Sequence, residues 1–128
     1  MRDSALLKRQ GRANVAFSIM SMRTRWINKK NVDGHSPAVN ASKPAGEWQT
    51  FDIVFRAPRF DPSGKKTADA KVVKIVHNGK VIHENLELHA PTRGALWEDE
   101  KPTGPLRLQG DHGPVAFRNL QVKSIELK

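Results

Sequence analysis

The sequence contains no cysteine, no tyrosine and no long hydrophobic run. Without cysteine, neither a disulfide framework nor thiolate chemistry is available, and the redox compartment stays open. No apolar stretch approaches the roughly 18 residues that a membrane span requires, so no membrane association is expected. The N-terminus is charged and lacks the uninterrupted apolar core of a secretory signal, which leaves the localisation undetermined.

The composition is that of a globular protein, with 27% charged and 38% hydrophobic residues. The net charge of +9 is unevenly distributed: residues 1–46 carry nine Lys/Arg against two Asp, and residues 47–128 carry thirteen against eleven acids. We therefore expect a basic arm of undetermined structure at residues 1–34 and a β-sandwich domain at residues 35–128. A basic arm can bind phosphates, but the few aromatic residues available for stacking on bases argue against a nucleic-acid partner.

Apolar residues alternate with polar ones over most of the chain after Glu47. In residues 48–56, Phe51, Ile53 and Phe55 fall on one face of a strand. Asn78-Gly79 is a hairpin signal between two further strands. The strands predicted from Glu47 onward are residues 48–56, 71–77, 80–88, 105–109 and 114–127. Together they favour an all-β, antiparallel sandwich.

Three local features are less regular. Residues 4–10 are compatible with one or two helical turns that end at Gly11, and residues 15–26 with a strand. Near Asn119-Leu120 the apolar positions shift from odd to even numbers, which predicts a β-bulge.

Five segments, in this order and spacing, resemble the C-terminal half of the 3-keto-disaccharide hydrolase domain family: residues 39–42, 46–55, 77–81, 104–115 and 117–119. The resemblance covers roughly residues 35–128 and implies a concanavalin A-like jelly-roll from bacterial glycan degradation, in relatives that are typically exported. Family domains are commonly nearly twice as long. The domain is therefore expected to be incomplete, or to be completed by a partner chain, such as a second copy that covers open sheet edges.

The resemblance also implies cleavage of a glycoside whose sugar is oxidised at C3. The ketone acidifies the C2 hydrogen, so a modest base removes it, the aglycone leaves from C1 and water adds to the enone. Such a site needs a base, a donor to the enolate oxygen and an acid for the leaving group. It needs neither a cofactor nor the paired carboxylates of ordinary glycosidases.

His112 beside Asp111 is the candidate general base, because imidazole titrates near neutrality and a carboxylate raises its basicity. The alternative is an exposed turn in which Asp111 caps backbone amides. Arg118 is the candidate oxyanion donor, and Asn119 a contact to a sugar hydroxyl. The alternatives here are an inter-strand ion pair and a bulge residue.

Six residues are candidates for substrate binding: Asn40, Trp48, His77, Trp97, Gln109 and Asn119. An indole ring matches the apolar face of a pyranose, and Trp97 is the better aromatic candidate because Trp48 fits a packed strand face. His77 and Asn40 have structural alternatives, as a hairpin-end histidine and a loop asparagine.

No metal site is predicted. His83 and His89 fall on one strand face six residues apart, a separation of about 20 Å that one metal ion cannot bridge. Besides a 3-keto-glycoside hydrolase or lyase with a carbohydrate ligand, two functions stay open: a non-catalytic carbohydrate-binding module and a self-assembling β-sandwich module.

Overall fold

The structure, a computed structural model, describes residues 4–11, 25–27, 30–32, 35–91, 99–108, 110 and 113–127. Before residue 35 it describes the backbone alone. The described residues form these strands: β1 Ser4–Gly11, β2 Arg25–Ile27, β3 Lys30–Val32, β4 Gln49–Arg56, β5 Arg59–Phe60, β6 Lys66–Ala68, β7 Ala70–His77, β8 Lys80–Leu88 and β9 Arg118–Ile125.

Five of these strands form one sheet in the order β8-β7-β4-β1-β9, and every pairing in it is antiparallel. Strands β2 and β3, and strands β5 and β6, form two smaller antiparallel pairs. The described residues contain no helix, and hence no helix long and apolar enough to cross a membrane. The prediction of an all-β, antiparallel fold is confirmed.

The helical interpretation of residues 4–10 is wrong, because Ser4–Gly11 is strand β1. The strand lies between β4 and β9 and pairs with both, as in Leu7 opposite Ile53 on one side and Val122 on the other. The backbone of β1 forms hydrogen bonds with two strands that are distant in the sequence, β4 and β9. These bonds outweigh the weak helix propensity of the segment. Part of the expected N-terminal arm thus belongs to the sheet, while the division of the chain at residue 34 stays a prediction.

The hairpin prediction is confirmed at Asn78-Gly79, which joins β7 to β8. Both residues have positive φ, 49° and 82°, as the tight turn that matches the twist of paired strands requires. Asparagine and glycine adopt this backbone at low cost.

The hydrophobic core lies on one face of the sheet. Its buried residues are Ala41, Phe51, Val72, Ile75 and Ile82, and Ile53, Phe55, Leu86 and Leu88 pack against them. The predicted inward face of β4 is therefore confirmed.

The bulge prediction in β9 is also confirmed. Lys8 pairs with Gln121, and Gln10 pairs with Arg118, so β9 carries one residue more than β1 between these pairs. Asn119 takes up the irregularity with a φ of 52°.

The strand predicted at residues 105–109 is wrong for its described part, because residues 105–108 have no regular structure. Leu106 and Leu108 are 50% and 40% exposed. Two leucines are too short an alternation to specify a strand without a partner. Most of the strand predicted at residues 15–26 lies outside the described residues.

Replacing Ile75 with alanine is expected to lower the free energy of unfolding by about 2–5 kcal/mol, because a buried side chain leaves a cavity. Ile75 is 1% exposed, and Val122, which is 58% exposed, provides the control Val122→Ala. Urea denaturation of the three proteins measures the difference. Equal losses in the two variants would contradict this location of the core.

Candidate functional site

The predicted site residues divide into two groups. Asn40, Trp48, His77, Arg118 and Asn119 are described, and Trp97, Gln109, Asp111 and His112 lie outside the described residues.

Strand pairing brings the ends of four strands to one end of the sheet. Gly11 at the end of β1 pairs with Gln49 at the start of β4, and the neighbouring Gln10 pairs with Arg118 at the start of β9. His77, which ends β7, pairs with Phe51. This end of the sheet, which we call the hairpin end, therefore holds Trp48, Arg118, Asn119 and the turn after His77.

Trp48 and Arg118 are in direct contact. The guanidinium carbon of Arg118 lies 3.9 Å from the centroid of a Trp48 ring, a cation–π contact that restrains both side chains. Trp48 is 40% exposed, and Arg118 is exposed as well. While the contact persists, the indole face beneath Arg118 is unavailable to a sugar, so Trp48 holds the arginine rather than offering this face as a platform.

Asn119 and Asn40 each have a structural role, and their predicted contacts to a sugar stay predictions. Asn119 is the bulge residue with positive φ. The side-chain oxygen of Asn40 accepts a hydrogen bond of 3.1 Å from the backbone N–H of Ser42, the pattern of an Asx turn. Both asparagines are exposed.

His77 is not a surface residue. It is 0% exposed, and its ring stacks on Phe51 with centroids 4.1 Å apart and an interplanar angle of 6°. A side chain without exposed surface does not contact a ligand in this conformation. The structure therefore contradicts a substrate-binding role for His77, and the hairpin-end alternative describes it.

The tautomer of His77 follows from Gln49, whose amide is oriented by Lys43. The Gln49 Nε2 group donates to the Lys43 carbonyl at 3.4 Å, and Gln49 Oε1 accepts from the Lys43 N–H at 3.1 Å. His77 Nε2 lies 2.8 Å from Gln49 Oε1, an acceptor, and 3.2 Å from Asn78 Nδ2, a donor; the shorter contact makes Nε2 the donor to Gln49. Nδ1 then carries a lone pair, and this buried atom has no hydrogen-bond partner among the described residues.

Burial lowers the pKa of His77 below its ordinary value, because an enclosed imidazolium loses its hydration. A second proton would also place an N–H at Nδ1, where the described residues offer no acceptor. His77 is therefore neutral near pH 7.

Gln49 and Asn78 were missed as members of this site. Gln49 has the same parity as Phe51 and Ile53, so the alternation itself places its side chain on the core face. A buried amide needs partners, and this was the signal that could have identified it. For Asn78, the Asn-Gly pattern predicts the backbone turn and carries no information about the hydrogen bonds of the side-chain amide.

A second polar cluster lies at the opposite end of the sheet. Lys66 forms ion pairs with Asp69 and, at 2.7 Å, with Glu100, and His89 Nδ1 lies 2.6 Å from Asp69 Oδ2. Hydrogen bonds to the Asp69 and Glu100 carboxylates raise the pKa of Lys66. The pKa of Asp69 is lowered by its hydrogen bond with Lys66 and, to a smaller extent, by the one with His89. The contact with Lys66 attaches Glu100 to β6, and Lys66 also donates to the carbonyl of His89, next to the end of β8, at 3.1 Å.

In the part of the chain that is described, no three His, Cys, Asp or Glu side chains are grouped to hold a metal ion. The prediction that there is no metal site stays a prediction, because Asp111 and His112 lie outside that part.

The stability of the protein is expected to fall as the pH falls below the ordinary histidine pKa of about 6.5. Since the folded state lowers the pKa of His77, the unfolded state binds the proton first, and stability present above that pH is lost below it. Urea denaturation between about pH 8 and pH 5.5 measures the slope. His77→Gln, which keeps a donor for Gln49, should flatten the slope. His35→Gln, at an exposed position, should not, and an unchanged slope in His77→Gln would contradict the assignment.

Comparison with known proteins supplies the family. The model of the 3-keto-alpha-glucoside-1,2-lyase-like domain matches residues 8–123. The match includes β1 from Lys8 onward, ahead of the residues that carried the resemblance. No curated protein matches the chain in sequence.

A solved structure, of a candidate glycosyl hydrolase from Parabacteroides distasonis, is similar with a TM-score of 0.64 at 18% sequence identity. The similarity covers 96% of this chain and 64% of the other, so this chain spans less than two thirds of that protein's length. At this identity the likeness establishes the fold, which is the β-sandwich predicted for the chain. The match of the family model over residues 8–123 shows that the chain belongs to the 3-keto-alpha-glucoside-1,2-lyase-like domain family.

Proposed function

We propose that the protein cleaves 3-keto-glycosides by elimination. A base removes the C2 proton, the C1–oxygen bond breaks with its electron pair going to the aglycone, and the aglycone leaves as an alcohol after protonation. The remaining sugar is a 2-hydroxy-3-keto-glycal, and addition of water to its double bond gives the free 3-keto sugar. No oxidant or reductant is consumed, because the substrate already carries the ketone.

Membership in the family is the observation that carries this proposal, since the matched region spans residues 8–123. The Arg118–Trp48 contact adds a residue to which a role can be assigned. Arg118 is a permanent cation, and the indole beneath it restricts its orientation. A fixed cation near a ketone stabilises the enolate oxygen as charge develops on it.

The remaining roles are proposed from the sequence. His112 is the base and Asp111 orients it; both lie outside the described residues, six and seven positions before Arg118. Asn40, Trp97, Gln109 and Asn119 are proposed contacts to the sugar, and Trp48 is proposed to hold Arg118.

The direct test is turnover of p-nitrophenyl 3-keto-α-D-glucopyranoside, followed by the release of nitrophenolate. The wild-type protein is expected to cleave it and to leave p-nitrophenyl α-D-glucopyranoside intact, because without the ketone the C2 hydrogen is not acidic. His112→Ala should lower kcat by about a hundredfold or more, and Arg118→Ala by a comparable factor.

The melting temperature separates chemistry from folding in these variants. Arg118→Ala is expected to change the melting temperature little, since Arg118 is exposed, and the same measurement on His112→Ala shows whether its loss of turnover occurs in a folded protein. Equal turnover of the two glucosides, or full activity in His112→Ala, would contradict the elimination mechanism.

A non-catalytic carbohydrate-binding module is the second candidate. It is favoured by Trp48, which keeps 40% of its surface exposed although Arg118 covers one ring face, since an indole can pack against a sugar ring. Titration calorimetry with methyl α-D-glucopyranoside would then show binding that persists in His112→Ala and is lost in Trp97→Ala. Loss of binding in both variants would argue against such a module.

Self-association also stays a proposal. Among the described strands, β9 is an edge of the five-stranded sheet, and Leu120 and Val122 on it are 38% and 58% exposed. A second copy that pairs with this edge would cover both residues.

A further inference from the structure

Two polar side chains are completely enclosed at the hairpin end of the sheet. Gln49 and His77 are each 0% exposed, although a buried polar group costs free energy unless it is paired. Apolar residues of similar size are the simpler solution for a core position. The contacts of this pair, and of Asn78 beside it, show what the polar atoms accomplish.

Gln49 closes the loop that leads into β4. Its amide accepts from the N–H of Lys43 and donates to the carbonyl of Lys43, so one side chain closes the turn of residues 43–49. Within this loop the Glu47 N–H donates to the Pro44 carbonyl at 3.3 Å, and Gly46 has a φ of 96°. The loop is thus a tight turn held at its base by Gln49.

Asn78 attaches the same loop to the β7–β8 hairpin. Its Nδ2 group donates to the Ala41 carbonyl at 2.7 Å and to Gln49 Oε1 at 3.3 Å. Its Oδ1 atom accepts from the Thr50 N–H at 2.9 Å, and its own N–H donates to the Thr50 carbonyl at 3.0 Å. One side chain therefore fixes both ends of residues 41–50.

Trp48 lies inside this clamped segment, directly before Gln49, and its own side chain is exposed. Its position on the backbone is set by Gln49, His77 and Asn78, which we call the buried clamp. Arg118, which rests on the Trp48 ring, belongs to a different strand, and β1 separates that strand from β4. A shift of the loop therefore moves the ring away from the guanidinium.

We infer that Gln49, His77 and Asn78 are positioning residues, which hold Trp48 so that its ring fixes the guanidinium of Arg118 in the site. The inference rests on the proposed function for its catalytic consequence, and on the contacts alone for the placement of Arg118. None of the three side chains contacts substrate. Their effect is transmitted through the backbone of residues 41–50.

Asn78→Gly tests the clamp with little disturbance of the turn. Glycine accepts the φ of 49° at residue 78 and removes the side-chain bonds to Ala41, Gln49 and Thr50. Asn85→Gly is the matched control, because Asn85 is also an asparagine with positive φ, 53°, and it lies on β8 outside the clamp. Asn78→Asp is the second variant: it keeps an acceptor for Thr50 and loses the donor to Ala41.

The first measurement is independent of activity. A side chain that lies over an indole ring has its NMR signals displaced upfield, so Arg118 should show displaced side-chain resonances that disappear in Trp48→Leu. Asn78→Gly and Asn78→Asp are expected to lose most of that displacement, and Asn85→Gly to retain it. Retention in both Asn78 variants would overturn the inference, whatever the protein catalyses.

The second measurement is turnover of the 3-keto-glucoside. Asn78→Gly is expected to lower kcat by about tenfold with a smaller change in KM, since a displaced donor weakens the transition state more than binding. A loss of activity that follows melting temperature equally in Asn78→Gly and Asn85→Gly would show a structural role only and overturn the catalytic part. If the wild-type protein shows no turnover, the proposed function fails, while the NMR result still decides the placement of Arg118.

Discussion

The insertion of β1 between β4 and β9 is the constraint on which the rest of this structure depends. Among the described residues, β1 is the one strand that pairs with β9. Its eight residues therefore connect β9 to β4 within the sheet. Both ladders are long-range in sequence, which makes them costly to form and strongly determined by topology. The contact between Arg118 and Trp48 exists because this pairing brings the start of β9 and the start of β4 to the same end of the sheet, on either side of β1.

The two ends of the sheet use polar groups in different ways. At the hairpin end, the neutral side chains of Gln49, His77 and Asn78 form hydrogen bonds with one another and with the backbone, an arrangement that specifies geometry and does not depend on salt. At the other end, Lys66, Asp69, His89 and Glu100 form a partly exposed ion-pair cluster, in which screening limits each contribution. The polar side chains with the more tightly fixed geometry are therefore at the end of the sheet that holds the candidate site.

Local patterns predicted much of the fold and less of the site. The alternation in β4, the Asn-Gly turn and the parity shift at Asn119 each express a rule about neighbouring residues, and each is confirmed. Strand β1 was missed because its identity is decided by its pairing with β4, from Gly11 opposite Gln49 to Ser4 opposite Arg56, and these partners are distant in the sequence.

The same limit applies to side chains. Trp48 and Arg118 were both selected from the sequence, but their contact depends on pairing across β1, and no spacing in the sequence contains it. The burial of His77 depends on neighbours that are distant in the sequence, such as Gln49 and Phe51. Histidine occurs both in cores and at surfaces, so its residue type did not predict the burial.

The ion-pair cluster has a consequence for the variability of the loop that follows β8. His89 and Glu100 are both bound to the β6–β7 region, through Asp69 and Lys66, so the chain is attached to the sheet at both residues. For a loop with anchored ends, doubling the number of residues costs only about 0.6 kcal/mol in closure entropy. Relatives can thus be expected to lengthen or shorten this connection freely while the sheet beneath it stays unchanged.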